Sequence, residues 1–342
     1  MKNQIQFAQP DFKLLKRLFA IYSPSGKEDR MANYLCEILK TIPGVRYARD
    51  HFGNIFTVKG KSESYPCVCA HIDQVADQHS PDYRAVETRD MIFGYSPKSH
   101  SFENCGADDK VGVLFAIQSI MLFDNIKIAL FRDEERGCRG SGALTEKELT
   151  FFNDCRFILQ ADRRGNSDFV TNIGSLDLCS EKFIRDVAPE MWGYAESQGM
   201  LTDVHQLKES GVPCSVANIS CGYYEPHLAT EHILKSDVVK AFNFMQHIII
   251  DCSDNYPHEP THACYYDCWE IEDDIYAFLG SDPNVTAQDL YEWYHGAYPY
   301  YKLEDFQRII DEYRLMYGED EYDNYSLDPN EKENNQNPET RH

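Results

Sequence analysis

His71 and Asp73 stand two residues apart at the end of the apolar run Pro66–Ala70, so in an extended chain their side chains point the same way. A metal-bound imidazole normally donates its second N–H to a carboxylate, and a neighbouring Asp can serve there. Asp108 and Asp109 follow Gly106 and open an apolar segment with helical spacing. Glu134 and Glu135 follow the apolar run Ile126–Phe131 and lead straight into Gly137 and Gly140. Asp162 ends the run Phe157–Gln160, and His227 follows Cys214–Ile219 beyond the loop Gly222–Pro226. Mixed His and carboxylate donors suit Zn²⁺ or a related divalent ion held for hydrolysis. Two ions sharing a bridging carboxylate account for the number of acids. Each piece alone is weak, because Asp108 also reads as a helix cap and Asp162 as an ion-pair partner of Arg163 or Arg164. Their order, always at strand ends, is what points to one site.

The elements that must position them follow from apolar spacing. Helices are expected at about 11–20 and 27–41, the second introduced by Ser23-Pro24-Ser25-Gly26. A hairpin at 45–49 and 54–59 turns at Asp50–Asn54, and a strand at 66–70 ends in His71. A possible strand near 90–95 and a buried helix at 108–123 come next, then strands at 126–131, 157–160 and 214–219. Helical patterns at 141–149, 180–189, 203–210 and 236–250 alternate with them. Short apolar strands between helices predict an α/β fold whose central sheet is mostly parallel (mixed) and covered by helices on both faces. Ligands in open α/β sheets bind outside the carboxyl ends of the strands, where these residues lie. Residues 1–252 are therefore expected to form the catalytic domain. Residues 253–317 read as a helical extension rich in Tyr and acid, with short helices at 271–279, 286–294 and 303–316, and 318–342 as a disordered polar tail.

The 342 residues carry a formal net charge of −23, concentrated at the C-terminal end. Residues 251–342 hold 23 acidic against 5 basic side chains, whereas residues 1–250 hold 33 against 28. Such a balance argues against nucleic-acid binding by phosphate neutralisation and against docking on anionic lipid. No run of 18 apolar residues predicts a membrane span, and the N-terminus lacks the apolar stretch of a signal peptide. The 12 scattered cysteines, many inside apolar runs, read as reduced, buried thiols of a cytoplasmic protein.

With these residues in place, the chain resembles the co-catalytic di-zinc exopeptidases, a superfamily of zinc aminopeptidases, tripeptidases and related amidohydrolases. The resemblance rests on Ala70-His71-Ile72-Asp73, Gly106-Ala107-Asp108-Asp109-Lys110, Asp133-Glu134-Glu135-Arg136-Gly137, Ala161-Asp162 and Pro226-His227, and covers roughly residues 12–250. It implies that Asp108 bridges two divalent ions, Zn²⁺ by family chemistry, with His71 and Glu135 completing one and Asp162 and His227 the other. Glu134 would be the general base, and Asp73 would orient His71. Gaps of 37 residues from His71 to Asp108 and 65 from Asp162 to His227 leave no room for an inserted lid or dimerisation domain, so the resemblance is to the compact, single-domain aminopeptidase branch. Thr202-Asp203-Val204-His205 is similar to a Ser-Asp-His segment of that branch, except that Val204 takes the His position; His205 thus reads equally as a surface residue.

The expected activity is hydrolysis of small peptides from an unblocked N-terminus. Two rivals share its metal chemistry, a deacylase or other amidohydrolase and a single-metal acyl transferase of the glutaminyl-cyclase kind. A third is a non-catalytic scaffold that binds a basic partner through the acidic tail. His258, His262, Cys264 and Cys268 are spaced loosely like a zinc knuckle but lack Cys-x-x-Cys, so no further metal site is assigned there. The tyrosines at 291, 294, 298, 300 and 301 read first as packing residues.

Overall fold

Elements form where the apolar pattern repeats. The computed structural model describes residues 7–75, 79–260, 275, 276, 279, 285–294 and 301–317. Two compact units divide the chain, Met1–Asp267 and Cys268–His342. In the first, helix α1 (Phe12–Phe19) is capped by Asp11, which accepts hydrogen bonds from the amides of Lys13 and Leu14. Helix α2 (Asp29–Thr41) turns Met31, Leu35 and Leu39 inward at helical spacing. The expected hairpin is β1 (Val45–Arg49) paired antiparallel with β2 (Ile55–Lys59).

The central strands are β3 (Tyr65–His71), β7 (Ile126–Phe131), β8 (Cys155–Arg163) and β12 (Ser215–Ser220). They run parallel in the order β7-β3-β8-β12. Every residue of β3, β7 and β12 is buried, as continuous apolar runs require when both faces of a sheet are covered. The covering helices include α3 (Ala107–Leu122), α6 (Glu181–Val187), α7 (Asp203–Glu209) and α8 (Lys235–Asp251). Two short helices, α4 (Arg139–Gly142) and α5 (Glu146–Leu149), fill the stretch where one helix is expected at 141–149. At its edges the sheet becomes antiparallel: β2 pairs with β7, and β9 (Asp168–Ile173) pairs with β12 and with β10 (Leu176–Asp177). A parallel strand β11 (Ala195–Gly199) lies against β9.

A second, smaller sheet has no counterpart in the sequence pattern beyond the possible strand near 90–95. It joins β4 (Arg84–Glu87), β5 (Met91–Ser96), β6 (Ser101–Glu103), β13 (Tyr223–Tyr224) and β14 (His232–Leu234). Its role is positional, because the β13–β14 hairpin carries His227 at its tip.

In the second unit, Ala287–Tyr294 and Leu303–Tyr317 are helical, as their spacing predicts. Leu290, Phe306, Ile309 and Ile310 form a small buried cluster with Tyr291, Tyr294 and Tyr301 packed against it, which is the packing role expected of those tyrosines. Most of the helix expected at 271–279, the tail 318–342, Tyr298, Tyr300, His262, Cys264 and Cys268 lie outside the described residues. The ten described cysteines are free thiols and all are buried. No described helix is long and apolar enough to cross a membrane.

Candidate metal centre

Adjacent parallel strands end at the same level, so whatever follows them is gathered into one place. His71 is the last residue of β3, Asp162 lies at the end of β8, and Glu134 and Glu135 sit in the turn after β7. Asp108 and Asp109 open α3 just after Gly106 at its N-cap, and the peptide between them is cis. Asp108 is therefore not a capping side chain. His227 reaches in from the hairpin tip with a positive φ of 66°.

The two oxygens of Asp108 face different imidazoles. Oδ1 lies 3.0 Å from His71 Nε2, and Oδ2 lies 3.5 Å from His227 Nε2. The next carboxylate oxygen from each Nε2 belongs to a different residue: Asp162 Oδ1 is 3.6 Å from His71 Nε2, and Glu135 Oε2 is 3.0 Å from His227 Nε2. These contacts pair the imidazoles with the carboxylates the other way round from the sequence expectation, which joined His71 to Glu135 and Asp162 to His227. A wider grouping, His71 with Asp108 and Glu135, also keeps its donor atoms within 4.8 Å of one another.

Asp73 is the hub beneath these groups. Its Oδ1 accepts the amide of Glu134 at 3.0 Å and lies 3.3 Å from His71 Nδ1. Its Oδ2 accepts the amide of Glu135 at 3.2 Å and the hydroxyl of Ser25 at 2.8 Å. One buried carboxylate thus fixes both the imidazole and the turn that carries the two glutamates. Asp109 ties α3 to the end of β3, its carboxylate accepting the amides of His71 and Gly112. A Cβ at residue 112 would stand 2.3 Å from Asp109 Oδ1, so that close approach requires glycine.

Around Asp162 lies a set of donors, of which the sequence pattern marks only Thr202, in the segment Thr202-Asp203-Val204-His205. Thr202 Oγ1 donates to Asp162 Oδ2 at 3.0 Å, Gln160 Nε2 donates to the same oxygen at 3.2 Å, and the Tyr223 hydroxyl donates to Oδ1 at 3.3 Å. Gln160 also donates to Asp203, which accepts the Ser141 hydroxyl at 2.7 Å. Gln160 sits two residues before Asp162 on β8, so strand alternation was the one signal available for it. Arg163, the expected ion-pair partner of Asp162, instead pairs with Asp168 at 3.1 Å. His205 is buried rather than on the surface, and burial lowers its pKa to about 4.

The electrostatics are those of acids forced together out of water. Burial raises the pKa of Glu134, and the charge of Asp162 adds to it. Burial, then Asp108, raise Glu135 and push Asp162 up to about 8. His227 is raised to about 10 by its contacts with Asp108 and Glu135. Burial works against protonation of His71, but Asp162 and Glu134 raise its pKa well above the usual imidazole range. Buried like charges at this density fit a site that holds cations. Two further features agree. Glu135 Oε1 is buried without a hydrogen-bond partner. A tetrahedral ion at about 2.0–2.1 Å from its N and O donors spaces them about 3.3 Å apart, and the four separations around the imidazoles run from 3.0 to 3.6 Å.

No family model matches the chain. A curated protein of Pyrococcus abyssi, described as a putative [LysW]-lysine/[LysW]-ornithine hydrolase, is 32% identical over 135 residues, which is 39% of this chain and 35% of that protein. Among solved structures, a tripeptidase of Staphylococcus aureus superposes with a TM-score of 0.56 at 13% identity, over 71% of this chain and 98% of that one. The aminopeptidase PepT of Bacillus cereus gives 0.55 at 14% identity, over 70% and 96%. An aminopeptidase of Desulfurococcus kamchatkensis gives 0.51 at 17% identity, over 71% and 95%. The chain has the α/β fold of these peptidases.

Proposed function

We propose that the chain is a metal-dependent exopeptidase that hydrolyses small peptides from their N-terminal end with two divalent ions, Zn²⁺ by the chemistry of its donors. The observation that carries this reading is the placement of Asp108, with one carboxylate oxygen toward each imidazole. Asp108 would bridge the ions. His71 and Asp162 would complete one set, and Glu135 and His227 the other. That partition follows the shorter contacts and replaces the one implied by resemblance.

When bound, such ions acidify water and polarise the scissile carbonyl. The remaining work belongs to the chain. Glu134 is outside both donor sets, with Oε2 3.9 Å from His71 Nε2 and Oε1 receiving the thiol of Cys138 at 3.4 Å. It is placed to take a proton from the attacking water and deliver it to the leaving amine. Asp73 holds the backbone of Glu134 and the ring of His71 in register, so that base and imidazole keep a fixed separation. Acidic side chains around the site favour a cationic α-amino group over a free carboxylate. Arg163, the nearer candidate for clamping a carboxylate, is already engaged by Asp168.

The test is a comparison of matched substrates. Unblocked peptides should lose single N-terminal residues, and the same peptides should resist cleavage once acetylated. The curated relative is named for [LysW]-lysine or [LysW]-ornithine rather than for peptides, which favours a second reading, a deacylase or other amidohydrolase on the same centre. Efficient hydrolysis of N-acyl amino acids, with unblocked peptides untouched, would select it.

A further inference from the structure

Four residues beyond His227, Glu231 is a buried carboxylate with no part in either donor set. Its Oε2 accepts the amide of Ala107 at 2.8 Å, and its Oε1 accepts the amide of Asp108 at 3.3 Å. These amides stand at the start of α3, where Asp108 and Asp109 depart from helical backbone angles, and Glu231 accepts both. The same segment is fastened at two other points. Cys105 Sγ donates to the Glu231 carbonyl at 3.4 Å, and Asn104 Nδ2 donates to the Leu228 carbonyl at 3.2 Å.

The hairpin loop from Glu225 to Glu231 therefore carries His227 at one end and grips the backbone of Asp108 at the other. Glu225 and His227 both have positive φ, so the backbone of this loop relies on outside contacts to hold it. His71 needs no such help, since it is the last residue of a fully buried central strand.

We propose that Glu231 is a positioning residue that locks the His227 loop onto Asp108 and so sets the affinity for the ion His227 holds, with a smaller effect on the His71 ion, which the lock reaches only through the shared Asp108. This rests on the two-ion reading above. The carboxylate is suited to the task because each oxygen serves one amide. Alanine removes both bonds, and glutamine keeps a single acceptor oxygen.

The experiment is Zn²⁺ titration of metal-free full-length protein against a competing chelator dye, with circular dichroism and thermal unfolding recorded on the same samples. The unaltered chain should bind two ions; if it binds fewer, the two-ion reading fails and this proposal with it. Losing an outer partner of a ligand typically costs about 10- to 100-fold in affinity, so Glu231→Ala should weaken the His227 ion by that factor and the His71 ion, which loses no loop-borne ligand, by a clearly smaller one. Glu231→Gln should fall between, and it carries the test if the alanine variant does not fold. His227→Ala should lose the same ion. Adding Glu231→Ala to it should cost the ion that remains no more than Glu231→Ala alone costs it, since the loop then carries no ligand. Equal weakening of both ions, wild-type affinity at both, or a larger loss of the remaining ion in the double variant than in Glu231→Ala would overturn the proposal.

Discussion

Replacing Asp73 with asparagine removes one charge and almost no volume, so its effect isolates the hub. The carboxylate takes the amides of Glu134 and Glu135, the hydroxyl of Ser25, and a place 3.3 Å from His71 Nδ1. Asparagine has a single acceptor oxygen. Its least costly orientation keeps that oxygen toward Glu134 and His71 and turns the NH₂ toward Ser25, whose hydroxyl can rotate to accept. The Glu135 amide then faces a donor. An orphaned buried donor costs about 1–3 kcal/mol, and the bonds that survive lose the roughly twofold strengthening a charged acceptor gives. Together these place the loss at about 2–4 kcal/mol, or on the order of 5–15 °C in Tm for a unit of this size. Affinity for metal should fall about 10- to 100-fold as His71 loses its orienting partner. Urea unfolding of the metal-free variant measures the first quantity, and chelator competition measures the second. A stability change under about 0.5 kcal/mol, the range of an ordinary surface substitution, with unchanged metal affinity would refute the hub role.

Glu134→Gln should retain both ions and lower turnover about 100- to 10,000-fold, the usual contribution of a general base; Glu135→Gln should instead weaken metal binding. Retention of more than roughly a tenth of the rate in the first variant would exclude the base assignment. Gly112→Ala places a Cβ 2.3 Å from Asp109 Oδ1 and should destabilise by about 1–3 kcal/mol, as overpacked cores do; an unchanged melting temperature would contradict that contact. Metal-free protein should lose stability as pH rises from about 6.5 toward 8. Asp162 is raised to about 8 and His227 to about 10, so over this window each binds more protons in the folded than in the unfolded state; Lys110, lowered to about 7 by burial, opposes them above that pH, and the two site groups outweigh it to give a negative slope. Asp108, whose pKa is lowered, contributes only below the ordinary carboxylate range. Thermal melts in the presence of chelator at several pH values read this directly, and a flat or rising profile would contradict it.

The central strands were legible because each is a continuous apolar run, and the residues after them announced themselves by type. What the sequence pattern did not disclose has two physical origins. Edge strands such as β11, Ala-Glu-Ser-Gln-Gly, and β4, Arg-Ala-Val-Glu, are half solvated and carry little apolar signal. The second sheet is built largely from such pieces, so the hairpin that delivers His227 was read as a loop. The partition of ligands proposed above differs from the one implied by resemblance for a different reason. β3 lies between β7 and β8, so His71 has the strand leading to Glu135 on one side and the strand carrying Asp162 on the other. Only the position of His227, fixed through the small sheet, decides which carboxylate each imidazole meets. Glu231, a lone acid in a loop, and Tyr223, in a strand of two residues, have no periodicity to mark them.

If two ions held around Asp108 make this chain a peptidase, adding Zn²⁺ stepwise to metal-free protein should switch on release of the N-terminal residue from an unblocked peptide. Turnover that reaches its plateau only as a second ion binds, and that vanishes in Asp108→Ala, is the predicted result. Full activity with a single ion bound, or activity that survives complete removal of metal, would contradict the claim.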